Sequence, residues 1–313
     1  EDIIYFIAVI ALFLTLSMTK LKYERGKDSY IKMVLHYLSI VVVVAGIAYF
    51  SSRPSFMYYY DATQTNHRTL SLGSQAVMDS IGKEKLTITT YVNLLEPNYS
   101  SGAKYNQLND MKHFEQYRRF NPNIKMKYVY YWNESENSEW DTHFPSMTWE
   151  ERAKHLANSW KLKYEDFLTP EQLAEQVDLR QEGFRFIRII EDEKGQKIPL
   201  RIFDDMSRHP SESEISATFK QLTTKSTKYS FITGHGERDI FKQNELEYQM
   251  FAKQNGFRYS LINQGFSTDT LTLETADETA NGADVIVIAD PQRPYTPSEL
   301  GQLEHYIATG KYF

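Results

Sequence analysis

The segment MVLHYLSIVVVVAGIAYF, residues 33–50, decides the architecture of this chain because it is long and apolar enough to enter a membrane. A helix needs about 20 mostly apolar residues to cross a bilayer, and this segment with its flanks meets that requirement. Residues 3–18 form a second apolar run, interrupted only by Thr15 and Ser17. No comparable run follows Phe50. We therefore predict two membrane helices, at about residues 3–20 and 33–50.

The charges between the two runs indicate which side of the membrane the chain faces. Five cations lie there, at Lys20, Lys22, Arg25, Lys27 and Lys32. Only two acidic residues accompany them, so the connection carries a net charge of +3. Short loops with an excess of Lys and Arg stay on the cytoplasmic side. The sequence therefore predicts a membrane helical hairpin over residues 1–53, with a cytoplasmic basic loop and the rest of the chain outside the cytoplasm.

Two other interpretations of the first apolar run are a signal peptide and a buried core helix. A signal peptide begins with a positive region, whereas this run follows Glu1 and Asp2. A core helix carries a polar stripe, and none is visible between Ile3 and Leu14. A start outside the cytoplasm suggests that further membrane segments precede residue 1, and residues 311–313 resemble the beginning of a strand. We therefore expect the sequence to be a fragment at both ends.

Composition and missing motifs exclude several classes of function. The absence of cysteine excludes disulfides, thiolate metal ligands and cysteine nucleophiles. The net charge of -6 divides into +2 for residues 1–53 and -8 for the remainder, so no basic surface is expected for nucleic acid. The sequence has no P-loop, no G-x-S-x-G and no H-E-x-x-H, and its eight histidines show no metal-ligand spacing. We expect no cofactor, no metal and no catalytic residue.

The external region divides into two predicted domains, the first over residues 54–226. Its predicted strands are residues 86–93, 124–131, 184–190 and 198–203, and its longest predicted helices are residues 71–80 and 104–120. Helix starts in the external region carry the capping-box pattern, in which a hydroxyl and a carboxylate or amide satisfy each other's free N–H groups, at Thr148, Thr169, Ser211 and Thr296. These patterns predict an extracytoplasmic α/β domain.

The second predicted domain covers residues 227–313 and is expected to be truncated at its C-terminus. Its predicted strands are residues 229–233, 257–263 and 284–289, and its predicted helices are residues 244–254 and 297–309. Strands that alternate with helices form a parallel sheet with helices on its faces. The pattern therefore predicts a parallel-sheet, three-layer α/β fold.

One short loop in the second domain combines residues with chemical potential. Gly234, His235, Gly236 and Glu237 follow a strand, at the carboxyl edge of the predicted parallel sheet, where open α/β folds bind ligands. Glycines let backbone N–H groups approach an anion, and the imidazole and carboxylate can exchange protons. The alternative is a tight turn in which the glycines meet only backbone requirements.

A second loop is expected to emerge at the same edge of the sheet. It contains Asp290 and Arg293, and a guanidinium there can bind a carboxylate or a phosphate or can face water. No nucleophile accompanies the two loops, so the pattern favours binding over catalysis. The candidate ligand-binding residues are Gly234, His235, Gly236, Glu237, Asp290 and Arg293.

Several ordered segments resemble a known family. YYYDATQTNHRTLS (residues 58–71), LTITTYVN (86–93), FITGHGERDI (231–240) and VIVIADPQRPYTPSELGQLEHYIATGK (285–311) are similar to the gliding-motility-associated ABC transporter auxiliary proteins, which are substrate-binding-like. The resemblance covers about residues 33–313 and implies a membrane anchor followed by an external module shared with intraflagellar transport proteins. Residues 1–21 similarly resemble the last membrane helix of the partner ABC-2-type permease, which implies a permease–auxiliary fusion. The family supplies no established catalytic residues.

The expected function is that of an extracytoplasmic binding component of a bacterial ABC-2-type transporter, anchored in the inner membrane with most of the chain on the periplasmic side. Its expected partners are an ABC ATPase subunit, the permease helices, the lipid bilayer and an envelope protein or small ligand, with no nucleic acid. Two alternatives stay open: an envelope interaction scaffold that transports nothing, and an envelope hydrolase that uses the loop from Gly234 to Glu237.

Overall fold

The computed structural model describes residues 2–23, 30–52, 60–64, 68–136, 139–273, 282–308 and 310. These residues form two compact units, Glu1–Ala62 and Thr63–Phe313. The predicted loop residues 24–29 and the predicted strand start at residues 311–313 lie outside the described residues.

The first unit contains two helices, α1 (Asp2–Tyr23) and α2 (Tyr30–Ser51). Among the described residues, one helix has an apolar stretch of membrane-spanning length, Val34–Ser51 in α2, whereas the apolar part of α1 is shorter, Val9–Leu21. Most of the described side chains along α2 are exposed, with Val42 62% and Ile47 55% accessible. This helix is therefore long and apolar enough to cross a bilayer.

A four-stranded mixed sheet, sheet A, forms the centre of the first part of the second unit. Its strands are β1 (Leu86–Asn93), β2 (Ile124–Tyr131), β3 (Ile187–Glu191) and β4 (Lys197–Arg201). They lie in the order β2-β1-β3-β4, with β1 and β2 parallel and β3 antiparallel to both β1 and β4. The bounds of β1 and β2 agree with the prediction, and β3 begins three residues later because Phe184 has a φ of +50°.

Helices pack on sheet A and begin where the sequence provides caps. The helices around this sheet are α3 (Leu72–Ile81), α4 (Tyr99–Gly102), α5 (Gln107–Lys112), α6 (Glu115–Phe120), α7 (Trp140–His143), α8 (Trp149–Ser159), α9 (Pro170–Ala174) and α10 (Glu212–Thr223). The predicted capping boxes at Thr148, Thr169 and Ser211 are confirmed. Met78 of α3 and Phe219 of α10 join Ile88 of β1 in one buried core.

The predicted continuous helix over residues 104–120 is wrong. The segment contains a short 3-10 turn followed by α5 and α6, which are separated at His113 and Phe114. Phe114 is fully buried, and its N–H donates to the Met111 carbonyl three residues back. Burial of Phe114 and of Asp110 in the same short stretch therefore outweighs continuation of one helix.

The second sheet, sheet B, is parallel, as predicted. Its strands are β5 (Lys228–Ile232), β6 (Ser267–Leu271) and β7 (Val285–Val287), in the order β6-β5-β7. Successive side chains of the central strand serve opposite faces, as the pleat requires. Ile232 packs in the core that includes α12 (Pro297–Ala308), whereas Phe231 packs in a separate core around Ala252 and Leu261.

Two predicted elements between β5 and β6 are wrong. The helix predicted over residues 244–254 is reduced to α11 (Gln249–Ala252), and the Asn244 side chain accepts from the Leu246 N–H in a local turn that competes with a helix. The strand predicted over residues 257–263 is a turn that ends in a 3-10 helix, Leu261–Gln264. Asn263 stabilises this turn because its amide donates to the carbonyls of Gln254, Asn255 and Phe257. The strand at this place in the topology is β6 instead.

Side chains from the turn before β6 connect sheet B to sheet A within the second unit. The Arg258 guanidinium donates to Glu214 Oε2 at 2.8 Å and to Asp205 Oδ2 at 2.7 Å. Arg201, at the end of β4, donates to Asn263 Oδ1 at 3.1 Å. We call this set of contacts the junction. The boundary between domains at residues 226 and 227 stays a prediction.

Candidate functional site

The loop that follows β5 is a tight turn whose conformation depends on its glycines. Gly234 and Gly236 have φ values of +125° and +80°, a region that favours glycine. A Cβ added to Gly236 would approach Gln292 Cβ at 3.1 Å, so the two predicted loops lie directly against each other. The turn brings His235 and Glu237 to the carboxyl edge of sheet B.

The His235 imidazole lies between two carboxylates. Nδ1 is 3.5 Å from Glu237 Oε1, and Nε2 is 3.2 Å from Glu299 Oε1. The Tyr295 hydroxyl donates to Glu237 Oε1 at 2.9 Å, and its ring packs 4.4 Å from the imidazole centre. Only 1% of the Glu237 side chain and 12% of the His235 side chain are accessible. The side chains of this cluster therefore fill the space around one another.

The second predicted loop closes over the first. The N–H groups of Gln292 and Arg293 donate to the His235 carbonyl at 2.9 and 3.0 Å. The Arg293 guanidinium donates to the Gly234 carbonyl, and Asp290 forms an ion pair with Arg238. The structure thus brings all six predicted residues together, but it pairs Asp290 and Arg293 within the protein.

Electrostatics assign protonation states to two residues that the sequence did not indicate as site residues. The Thr296 N–H and hydroxyl both donate to Glu299, and the N–H holds the pKa of that carboxyl below its usual value. Burial raises the pKa of Tyr295, and its hydrogen bond to Glu237 raises it further. Glu299 is therefore an anion and Tyr295 a neutral donor at pH 7. The capping-box pattern was the available signal for Glu299, whereas no pattern indicated Tyr295.

A cleft of about 1040 Å³ lies away from this loop cluster, at the carboxyl edge of sheet A. Its lining includes Asn133 after β2, Arg201 at the end of β4, and Ser267 and Thr268 of β6. None of the six predicted site residues lines it. Sequence reasoning placed the site at the edge of sheet B because the glycine pattern occurs there. The rule about carboxyl edges applies equally to sheet A.

A buried charged cluster below sheet A was also missed. Arg188 of β3 forms an ion pair with Asp110, and neither side chain is accessible. The Tyr128 hydroxyl donates to Asp110 Oδ2 at 2.7 Å, and the rings of His113 and His209 stack 4.2 Å apart beside the pair. Burial lowers the pKa of His209 to about 4, with Arg188 and His113 adding to the effect. An arginine within the apolar run of β3 was the sequence signal.

The polar side chains of the loop cluster contact one another and leave little free surface around the imidazole. Within the part of the chain that the structure describes, no group of three or more His, Asp or Glu side chains is arranged to hold a metal ion. The loop cluster presents an imidazole between two carboxylates, and the hydroxyls of Tyr295 and Thr296 donate to those carboxylates. No family model, no curated protein and no solved structure matches this chain.

Proposed function

We propose that this protein is the membrane-anchored extracytoplasmic component of a bacterial ABC-2-type export system. The observation that carries the proposal is the apolar stretch Val34–Ser51, whose described side chains are not covered by protein. Exposure of Val41, Val42 and Val43, each more than half accessible, is unfavourable in water and favourable in hydrocarbon. This helix precedes an α/β unit without a phosphate-binding loop, so energy for transport would come from a separate ATPase.

The finer parts of the proposal concern topology and partners. Residues 1–53 form a hairpin in the inner membrane, with the basic connection from Lys20 to Lys32 in the cytoplasm and the α/β unit in the periplasm. The excess of positive charge in this short connection supports that orientation. In the proposed assembly, α1 packs with ABC-2-type permease helices, and the three-layer domain over residues 227–313 binds a ligand or an envelope partner.

An interaction scaffold is the second candidate, and the closed loop cluster favours it. The Glu237 carboxylate is only 1% accessible and is therefore shielded from a ligand, and the Arg293 guanidinium uses a donor on the Gly234 carbonyl. The same observation weakens the case for a hydrolase, which needs a general base that reaches substrate. Replacement of His235 and Glu237 by alanine distinguishes the scaffold from a ligand-binding component or a hydrolase. A scaffold should keep its function in the cell after this replacement if the fold is intact, whereas the other two should lose theirs.

The absence of cysteine permits a direct test of the topology. We would introduce one cysteine at a time, Met206→Cys in the periplasmic unit and Lys27→Cys in the connecting loop, and treat intact cells with a membrane-impermeant maleimide. The Met206 side chain is fully exposed, so its variant should be labelled, whereas the Lys27 variant should be labelled only after lysis. The reverse pattern, or extraction of the protein by alkaline carbonate, would refute membrane anchoring in this orientation.

Transport function needs its own test. Mild detergent extraction followed by affinity purification of the full chain should recover an ABC ATPase, and Val42→Asp in the apolar stretch should abolish that recovery while Val42→Leu should not. Recovery of the wild-type chain as a monomer without detergent and without an ATPase would contradict the proposal.

A further inference from the structure

The cleft of about 1040 Å³ has the position and the size of a ligand site. Strands β2 and β4 both run parallel to β1, so their carboxyl ends meet at one edge of sheet A, and open α/β sheets bind ligands at such edges. The opposite wall comes from Gln254, Ser267 and Thr268. The volume is at the upper end of the range for small-ligand pockets, which leaves room for more than one sugar-sized unit.

The charges that line the cleft neutralise one another. Glu182 accepts two hydrogen bonds, from Nε and Nη2 of Arg201, both at 2.6 Å, and both side chains are 13% accessible. Arg185 forms an ion pair with Asp204. In total the lining holds four cations and four anions. Two of those cations, Arg185 and Arg201, are paired within the lining, so an ionic ligand at that wall would have to displace an existing pair, whereas a neutral ligand would not.

The rest of the polar lining consists mainly of carboxamides. Seven Asn and Gln side chains line the cleft, among them Gln221, Gln243, Gln249, Gln254 and Asn255. A carboxamide presents a donor and an acceptor side by side. Two neighbouring hydroxyl groups can match this arrangement, one by accepting from the amide N–H and the other by donating to the amide oxygen. Phe184 and Phe266 add apolar surface for C–H groups. This composition suits a neutral ligand rich in hydroxyls.

Backbone geometry at β4 makes an extended peptide the poorer candidate. An added peptide strand would need the outer N–H groups of β4, which is an edge strand of sheet A. The Asp192 N–H donates to the Gln196 carbonyl, and hydrogen-bonded pairs alternate along an antiparallel hairpin, so Ile190 and Ile198 also form a hydrogen-bonded pair. Pro199, opposite Ile189, belongs to the other kind of pair, and its backbone nitrogen faces away from β3. Because proline has no N–H, the outer row of donors is interrupted at its centre.

We propose that this cleft binds a neutral oligosaccharide of about three sugar units. Carboxamides on the wall formed by residues 243–255 accept from and donate to the sugar hydroxyls, and the internally paired arginines hold the opposite wall in place. The proposal goes beyond the transport function, since binding in the cleft requires neither an ATPase nor a permease.

The test measures binding of defined trisaccharides to the purified full chain. The protein is kept in a detergent without a sugar headgroup, since a glycoside detergent would compete. Isothermal titration and saturation-transfer NMR are carried out with maltotriose, cellotriose and triacetylchitotriose, with trigalacturonate as a charged counterpart and blocked trialanine as a peptide. We expect at least one neutral trisaccharide to bind, and trigalacturonate and the peptide to bind at least tenfold more weakly.

Variants assign the binding to the cleft. Gln254→Leu and the exposed Gln243→Leu each remove one amide from the lining, and each should weaken trisaccharide binding about 5- to 10-fold, the effect of losing one or two hydrogen bonds. Gln302→Leu is the matched control, because Gln302 lies on α12 and does not line the cleft. Thermal unfolding followed by circular dichroism checks that each variant is folded. If Gln254→Leu does not fold, Gln243→Leu alone still tests whether the cleft is the binding site.

Four outcomes would overturn the proposal. The first is that no neutral trisaccharide binds at concentrations on the order of 10 millimolar. The second and third are that trigalacturonate binds as tightly as the neutral trisaccharides or more tightly, and that the peptide binds more tightly than they do. The fourth is that Gln302→Leu loses as much trisaccharide binding as the cleft variants.

Discussion

Acid should destabilise the α/β unit through His209, and the size of the effect can be worked out from its surroundings. Burial lowers the pKa of this imidazole to about 4 from its ordinary value of 6.5, and the cations Arg188 and Arg208 and the stacked His113 oppose protonation, whereas Asp110 alone favours it. The folded state therefore keeps His209 neutral at a pH where the unfolded chain binds a proton. Its stabilising contribution is complete above pH 6.5 and is lost as the pH falls toward 4.

The magnitude follows from the width of that window. Each unit of difference in pKa corresponds to about 1.4 kcal/mol, so a shift of this size approaches about 3 kcal/mol at acid pH. Because part of the ring is accessible to water, screening reduces the expected loss to about 2 kcal/mol between pH 7 and pH 4.5. The free energy of unfolding would be measured by urea titration at several pH values, with fluorescence of the four tryptophans as the signal.

A pair of variants separates His209 from the carboxylates that also titrate in acid. His209→Asn keeps an acceptor for the Arg188 guanidinium, which lies 3.3 Å from His209 Nδ1, and it cannot be protonated. Its unfolding free energy should fall about 2 kcal/mol less than that of the wild type over the same pH range. His305→Asn, at an exposed position of α12, should follow the wild type. Parallel pH profiles for His209→Asn and the wild type would refute the reasoning.

Two further substitutions test the junction and the loop cluster. Arg258→Met leaves the Glu214 carboxylate, which is only 2% accessible, without its cation, and should lower the free energy of unfolding by about 3 kcal/mol. Lys242→Met at the surface should change the free energy of unfolding little. Equal effects of the two substitutions would contradict this role of the junction. Gly236→Ala should destabilise the protein by about 1–2 kcal/mol because the φ of Gly236 is +80°. Gly301→Ala should stabilise it by up to about 1 kcal/mol, because Gly301 lies in helix α12 with open space around it. A change in stability of the same sign for both variants, measured by calorimetry, would be inconsistent with a strained turn.

Local signals predicted most of the elements, and tertiary contacts explain the exceptions. The β-branched run LTITTYVN and the alternating run IKMKYVYY match β1 and β2, because both strands are covered by helices on at least one face. Between residues 244 and 263 the hydrophobic pattern indicated a helix and a strand, yet Arg258 and Asn263 direct their side chains into ion pairs and carbonyl bonds that neither element could supply. The Arg258 ion pairs join residues about 50 positions apart, and the Asn263 bonds fix a local turn, and hydrophobic periodicity carries no information on either.

The candidate site was predicted in position but not in state. Parallel strands bring the loops after β5 and β7 to one edge, and this rule correctly placed His235 beside Asp290 and Arg293. Whether those loops are open depends on the direction of Tyr295 and Glu299, which residue spacing does not determine. The cleft at sheet A was missed for a related reason: its amides come from segments between residues 133 and 255 and form no local motif.

The junction limits how this chain could be recombined. On one side of the junction, Arg258 and Asn263 belong to the part that carries sheet B, whereas Glu214, Asp205 and Arg201 belong to the part that carries sheet A. A chimera that joined either part to an unrelated partner at residue 226 would leave buried guanidinium or carboxylate groups uncompensated. The residues on the two sides of the junction are therefore complementary to each other. Exchange of one sheet between homologous chains should succeed only when the residues on both sides of the ionic contact come from the same chain.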